Sequence, residues 1–329
     1  MKSRLRKRLE PLAFRWGGRV RGANHWMIGQ AARGALAVLR RLPPEQALEF
    51  ADRTARRLGP LMGRHRTALD NLRRAFPEKS PDEIEAIALD MWSNMARLAA
   101  EYIFLGDLVD LDPSQPGKGN VEVEGEEIFA RIAAEKRPHI LFTAHLGNFE
   151  LLPVAAVAFG LEMTALFRPP NNPYIARYVF QQRESSMGGL LASQAGAGFA
   201  LSRILDGGGN VGLLVDQRFQ GGVPTTFFGR PCETNPLLAK LARHHDCDVY
   251  PARSIRLPGN RFRLEIGEKI DLPRTAGGDV DVNATCQRLN DIVEGWVRED
   301  PAQWMWFHKR WALSKRYRRA QKKRQSAQS

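Results

Sequence analysis

RPHILFTAHLGNFELLP, residues 137–153, is the stretch whose reading decides the fold. His139 to Thr143 is a short apolar run behind Pro138, the pattern of a buried strand. Gly147-Asn148 is a turn pair, and helical spacing begins near Glu150. A histidine delivered to a strand end, with a carboxylate five residues later across a glycine turn, can fold back so that imidazole and carboxylate meet. That is a general base with its orienting partner. Glu150, in the first helical turn, would hold one ring nitrogen as N–H and leave the other free to take a proton. The same spacing also arises by chance around structural histidines, so it is weighed with the rest of the chain.

Outward from this stretch, strand and helix patterns alternate. Upstream lie a strand with Val121 and Val123 and a helix over 126–135. Downstream, a strand over 162–167 ends in Arg168-Pro-Pro-Asn-Asn-Pro173, and the next helix carries Tyr178, Val179, Arg183 and Glu184. A glycine turn at 207–209 feeds a buried strand that ends at Asp216 and Gln217. A helix over 236–243, a strand over 248–254 and an amphipathic helix over 282–297 follow. The pattern predicts an α/β fold with a central, mostly parallel or mixed sheet flanked by helices. Ligands of such sheets bind beyond the strand ends, where His145, Arg168 and Asp216 would converge. Arg168, stiffened by two prolines, suits a phosphate or carboxylate, or alternatively caps a helix.

Nucleotide loops are not matched, because neither G-x-x-x-x-G-K-S/T nor G-x-G-x-x-G after a strand occurs. His244-His245-Asp246-Cys247-Asp248 sits in a connector where adjacent histidines cannot easily share an ion, so no metal and no cofactor is expected. Cys232, Cys247 and Cys286 form no C-x-x-C pair and read as reduced core thiols.

The 49 Lys and Arg against 36 Asp and Glu give a formal net charge of +13, which calls for polyanionic partners. The charge gathers at the termini. Residues 1–43 read as a basic amphipathic membrane-associating segment, or as a charged tail, with no secretory core following, which points to the cytoplasmic side. Within it, 27–39 is too short and too interrupted to span a bilayer and reads as a packed or interfacial helix. Residues 44–112 are helical throughout, with Ser80-Pro81-Asp82-Glu83 opening the last long helix. A Pro/Gly loop at 112–119 leads into the α/β core over 113–311, and 312–329 is a basic tail read as disordered. FQGGVPTTFFGRP, residues 219–231, reads as a glycine-rich loop whose paired phenylalanines either wall a cleft for an acyl chain or pack on their own domain. PAQWMWFHKRW, residues 301–311, is an amphipathic surface set against either a membrane or the core.

AHLGNFE with His145 and Glu150, FRPPNNP with Arg168, VDQ with Asp216, FFGRP, NPLLAKLA and PAQWMWFHKRW occur in that order. Together they resemble the bacterial lipid A secondary acyltransferases, lauroyl and myristoyl transferases of the lysophospholipid-acyltransferase-like superfamily. The similarity runs from Asn71 to His308. It implies transfer of a fatty acyl group from acyl carrier protein to a hydroxyl of a Kdo-bearing lipid A precursor at the cytoplasmic face of the inner membrane. His145 would be the base and Glu150 its orienting group, with no acyl-enzyme. Arg168, Asn172, Arg183, Asp216, Gln217, Phe228 and Arg230 are the expected substrate-binding set. A thioester donor is already activated, which suits a chain without a G-x-S-x-G elbow. Backbone amides near Gly147 are the expected oxyanion donors. Two alternatives stay open: an acyltransferase for a lysophospholipid, lyso-ornithine lipid or other glycolipid, and a non-catalytic basic protein binding membranes or nucleic acid.

Overall fold

The computed structural model describes residues 22–104, 111, 119–170, 172–184, 187–245 and 247–319. The sequence expectations for 1–21, for most of the 112–119 loop and for the last ten residues lie outside them.

Nine strands are described: β1 (Val121–Glu124), β2 (His139–Thr143), β3 (Met163–Phe167), β4 (Gly189–Ala192), β5 (Asn210–Leu214), β6 (Val223–Phe227), β7 (Arg230–Thr234), β8 (Asp248–Leu257) and β9 (Arg261–Ile266). Seven of them form one sheet in the order β1-β9-β8-β2-β5-β3-β4. Strands β8, β2, β5, β3 and β4 run parallel, whereas β9 is antiparallel to β8 and pairs in parallel with β1. The sheet is therefore mixed but mostly parallel. Because β3 follows β2 in the chain and β5 inserts between them, the ends of β2 and β5 are neighbours at a crossover point, where ligand crevices form in such sheets.

Both faces are covered, as the two-residue alternation of the strands requires. Ile140, Phe142, Val211 and Leu213 join one large cluster, which contains Ala68, Leu72, Met91 and Trp92 from the helical region and the aromatic C-terminal segment. Leu141 turns to the other face, among Ile128, Phe129, Leu151, Ala155 and Phe262. The helices are α1 (22–39), α2 (Pro44–Leu58), α3 (His65–Ala75), α4 (Pro81–Glu101), α5 (Glu126–Ala134), α6 (Leu151–Ala158), α7 (Pro173–Glu184), α8 (Ala197–Asp206), α9 (Leu237–His245) and α10 (Val282–Glu299). At α4 the expected start holds: Ser80 and Glu83 form a capping box and Pro81 occupies the first turn. Since α3 and α4 share the core of the sheet, the helical part packs as an extension of it. No helix among the described residues is long and apolar enough to cross a membrane.

One sequence expectation is corrected and two open alternatives are decided. The segment 219–231 is largely an antiparallel hairpin of β6 and β7. Its turn places both Phe228 (φ 52°) and Gly229 (φ 64°) in the left-handed region, a hairpin geometry usually signalled by Asn-Gly. The paired phenylalanines wall no cleft. Phe227 packs on Trp304 and Phe228 packs edge-on against Phe76 and Trp306, inside the main core. The aromatic C-terminal segment is likewise core: Trp304, Trp306 and Arg310 are fully buried, and Arg310 donates to Glu233 O, Thr234 Oγ1 and Asn290 Oδ1.

Candidate active site

His145 follows the end of β2 by two residues, and Asp216 follows the end of β5 by the same number. Adjacency of these strands brings together side chains 71 residues apart in sequence: His145 Nδ1–H donates to Asp216 Oδ1 at 2.8 Å. The His145 backbone N–H (3.0 Å) and the Trp304 indole N–H (2.8 Å) both donate to Asp216 Oδ2. Burial alone would raise the Asp216 carboxyl. The His145 ring and these N–H donors outweigh it and hold the group well below the ordinary carboxylate range. A fixed anion at Nδ1 sets the tautomer and leaves a lone pair on Nε2, which accepts from the Gln217 amide at 3.0 Å. The His145 side chain is 13% exposed, so Nε2 is at the edge of solvent and Gln217 marks where an incoming hydroxyl would sit.

The orienting partner expected from sequence was Glu150, and here the structure differs. Glu150 is the residue before α6, and its carboxylate is taken by Arg183 of α7, through Nε to Oε2 (3.0 Å) and Nη2 to Oε1. Arg183 also donates to the Tyr102 hydroxyl (2.9 Å), and burial followed by the Glu150 charge pushes the Tyr102 phenol far up. Burial disfavours the Arg183 cation, but Glu150 and Tyr102 reverse the balance. One guanidinium nitrogen, Arg183 Nη1, is buried with no hydrogen-bond partner among the described residues.

The intervening turn explains the split. Gly147 (φ 52°) passes so close to the Ser254 carbonyl that a Cβ there would collide with it. Asn148 spans the turn, donating to Glu101 Oε2 (2.8 Å) and accepting from the Glu150 N–H (3.2 Å). Glu101 is paired with Arg256, whose Nε donates to Asn94 and whose backbone is clasped by Gln303. This buried polar lattice ties α4, β8 and the C-terminal segment to the turn. Glu101, Arg256, Asn148 and Trp304 carry no local sequence signal of such a role. Of the amides near Gly147, expected as oxyanion donors, two are already used: Leu146 N–H goes to Ala144 O and Gly147 N–H to Gln303 O.

Between the sheet and helices α6 and α7 lies a narrow chamber lined by apolar side chains, among them Leu141, Phe149, Met163, Ala165, Phe167 and Leu214. Among the described residues its charged lining groups are Glu150 and Arg183. Phe149 joins the two parts of the site, lining the chamber while its ring packs edge-on against His145 at 4.9 Å.

The remaining expected residues scatter. Arg168 is exposed just past β3. Asn172 caps α7 through Tyr174 N–H (3.0 Å) and holds α1 by donating to His25 O (2.8 Å). Arg230 stacks on Trp311 at 4.1 Å, on the hairpin side of the core, and Phe228 is buried. These last three are built into the packing, so Phe228, Arg230 and Asn172 do not join the chamber lining. One His/Asp/Glu grouping among the described residues has metal-ligand spacing, Glu135, His139 and Asp248. It lies at the opposite, N-terminal ends of β2 and β8, and Asp248 already faces Lys269 (3.2 Å) and Arg137 (3.4 Å).

A residue missed by sequence reasoning supports the far wall. His308 Nε2 accepts the Arg218 backbone N–H at 3.0 Å, two residues beyond Asp216. Burial lowers this imidazole to about 4, the Asp216 charge offsetting part of the effect. The unfolded chain, with an ordinary histidine near 6.5, binds this proton earlier as pH falls. Stability from His308 is thus fully present above pH ~6.5 and lost between there and about 4, a total of ~3 kcal/mol. Denaturant melts at pH 7 and pH 5 should differ by ~2 kcal/mol on this account. In His308→Gln, whose amide oxygen can still accept, the difference should shrink accordingly; an unchanged difference would contradict it.

The family described as "Bacterial lipid A biosynthesis acyltransferase" matches residues 19–312 of this chain. Among curated relatives, "Lipid A biosynthesis myristoyltransferase" of Escherichia coli (strain K12) is 27% identical over 302 residues, covering 88% of each chain. "Lipid A biosynthesis acyltransferase 1" of Shigella flexneri is 27% identical with the same coverage. "Lipid A biosynthesis acyltransferase 2" of Shigella flexneri is 24% identical over 281 residues, covering 83% of this chain and 86% of the relative.

Proposed function

Because the chain belongs to the bacterial lipid A biosynthesis acyltransferase family, we propose that it moves a fatty acyl group from acyl carrier protein to a hydroxyl of a phosphorylated lipid A precursor. The observation that carries this reading is one juxtaposition: a histidine polarised by Asp216 opens beside an apolar chamber whose charged end is Glu150 and Arg183.

The acceptor hydroxyl displaces Gln217 and gives its proton to His145 Nε2 as its oxygen attacks the thioester carbonyl carbon. Asp216 orients the ring and stabilises the imidazolium that forms. Negative charge then develops on the carbonyl oxygen, and Arg183 Nη1, buried and without a partner among the described residues, is a donor for it. The intermediate collapses with cleavage of the C–S bond, and the leaving thiolate recovers the proton from His145. No acyl-enzyme is required. Cys232, Cys247 and Cys286 are all buried, and burial pushes the Cys286 thiol up to about 11, where it is no nucleophile. Arg168, exposed just past β3, would meet an acceptor phosphate. Attachment is peripheral or by a weak anchor, at the cytoplasmic face of the inner membrane, through the N-terminal segment and the outer face of α1, where Met27, Ala31, Gly34 and Val38 are exposed.

The fatty chain occupies the chamber. Gly212 lies two residues below Leu214 on β5, and a Cβ there would meet Met163 Cε at 2.5 Å. Met163 also borders a second groove at the far end, with Thr164, Gly189 and Asn210, so it plugs the chamber floor. Purified protein should acylate a Kdo-bearing lipid A precursor from a mixture of acyl carrier proteins charged with different chains, read by mass spectrometry. Absence of transfer from every chain length ends the proposal. Met163→Ala should shift preference by at least two carbons upward and Gly212→Ala downward. Each shift is expected to change the ratio of kcat/KM between neighbouring chain lengths by ~10-fold or more.

A further inference from the structure

At the end of α2 the chain makes a 3-10 turn, Gly59–Leu61, and enters α3 after Arg64. Gly59 is pressed onto the indole of Trp92, a contact at 2.5 Å from the position of a Cβ, so the turn is seated on the core. Its apolar side chains are not. Leu58 is 54%, Leu61 80% and Met62 52% exposed, three large apolar residues within five positions. Around them stand Arg57, Arg64 and Arg66, all exposed, and among the described residues no carboxylate lies within ion-pair distance of them. Arg64 instead lies over the Phe307 ring at 5.6 Å. Phe307 stacks on Trp92 and precedes His308, which holds the Arg218 backbone beside the site. The turn is thus joined by direct contacts to the wall of the catalytic crevice. Separately, α1 is tied to the loop after β3 through His25 O and Asn172, and Met27, Ala31, Gly34 and Val38 on it are exposed.

We propose that the Leu58–Met62 turn is a membrane-inserting element that seats this side of the catalytic crevice on an anionic bilayer. Apolar side chains on a rigid turn, ringed by unpaired arginines, match acyl chains below and anionic headgroups at the same level. A turn held by Trp92 loses little conformational entropy on insertion. The inference rests on the acyltransferase reading only for its purpose, since lipid binding is measured without turnover.

The full-length chain carrying Leu61→Cys, labelled with an environment-sensitive fluorophore, tests it against vesicles of phosphatidylcholine alone or with phosphatidylglycerol. Cys232, Cys247 and Cys286 are buried and leave position 61 as the reactive thiol among the described residues. A blue shift on anionic vesicles, weakened by Arg57→Gln/Arg64→Gln, is expected. Leu61→Ser/Met62→Ser should lower vesicle affinity ~10-fold or more, while acyl transfer to a detergent-dispersed acceptor stays at the wild-type rate. The proposal is overturned if the probe remains solvent-like on vesicles. It is equally overturned if the probe is already blue without lipid, so that the chain itself covers the turn, or if it responds to acidic carrier protein and not to lipid. Loss of transfer in wild type with a normal blue shift would sink the function above and leave this element standing.

Discussion

Asp216→Asn is expected to lower kcat by ~10³–10⁴-fold, as much as His145→Ala. The asparagine side chain is isosteric and can still accept from the Trp304 indole and the His145 backbone N–H through its oxygen. Its amide nitrogen then faces His145 Nδ1 and donates to it, which moves the ring proton to Nε2, the atom meant to act as base. The fold survives and the tautomer is wrong. Steady-state kinetics over pH 5–9 should show the loss in kcat with little change in KM for either substrate. The wild-type carboxyl stays ionised across that range, since its folded value is depressed by His145 and Trp304 despite burial. By linkage its stabilising contribution is present above the unfolded value near 3.8 and is lost only as pH falls below it. If Asp216→Asn kept activity within about threefold of wild type, the histidine would have to be oriented by another group, and the mechanism would fall.

The site was half legible from sequence, and the reason lies in what fixes each half. His145 stands out because a five-residue apolar strand followed by a glycine turn is a local pattern. Asp216 is legible as a strand-end residue converging on the same cleft, but not as the ring's partner, because the 71-residue separation is closed by β5 inserting between β2 and β3, a fact of strand order. Local proximity in sequence favoured Glu150, whereas the turn through Gly147 and Asn148 sends Glu150 toward α7. The hairpin at Phe228-Gly229 was hidden for a related reason. A bulky residue at positive φ is uncommon and is held here by burial against Phe76 and Trp306, so the turn follows from tertiary packing and not from turn chemistry. Likewise the tryptophans of 301–311 were compatible with a membrane or a core. The choice was made by hydrogen bonds to distant partners, Trp304 to Asp216 and Trp311 to Phe227 O.

Glu150 and Arg183 carry the other large expectation, and their effects on stability and on rate should separate. Both side chains are nearly buried, 6% and 12% exposed, so removing one leaves an uncompensated charge beside an apolar chamber. Glu150→Ala should therefore cost ~3–5 kcal/mol and lower the thermal midpoint by roughly 4–7 °C for a chain of this size. Activity should fall with it, because the freed Arg183 would swing toward Tyr102 or solvent and away from the acyl carbonyl. Arg183→Met should lose ~10²–10³-fold in kcat if its unpartnered Nη1 meets the developing oxyanion. The double variant Glu150→Gln/Arg183→Met replaces the ion pair by neutral groups of similar size, and it should regain most of the lost stability, since a desolvated pair is close to neutral against such isosteres. Its kcat should stay at the level of Arg183→Met. Calorimetry and single-turnover transfer on wild type, Glu150→Gln, Arg183→Met and the double variant measure both couplings. Recovery of rate together with stability in the double variant would show that the pair only shapes the chamber, and would remove Arg183 from the chemistry.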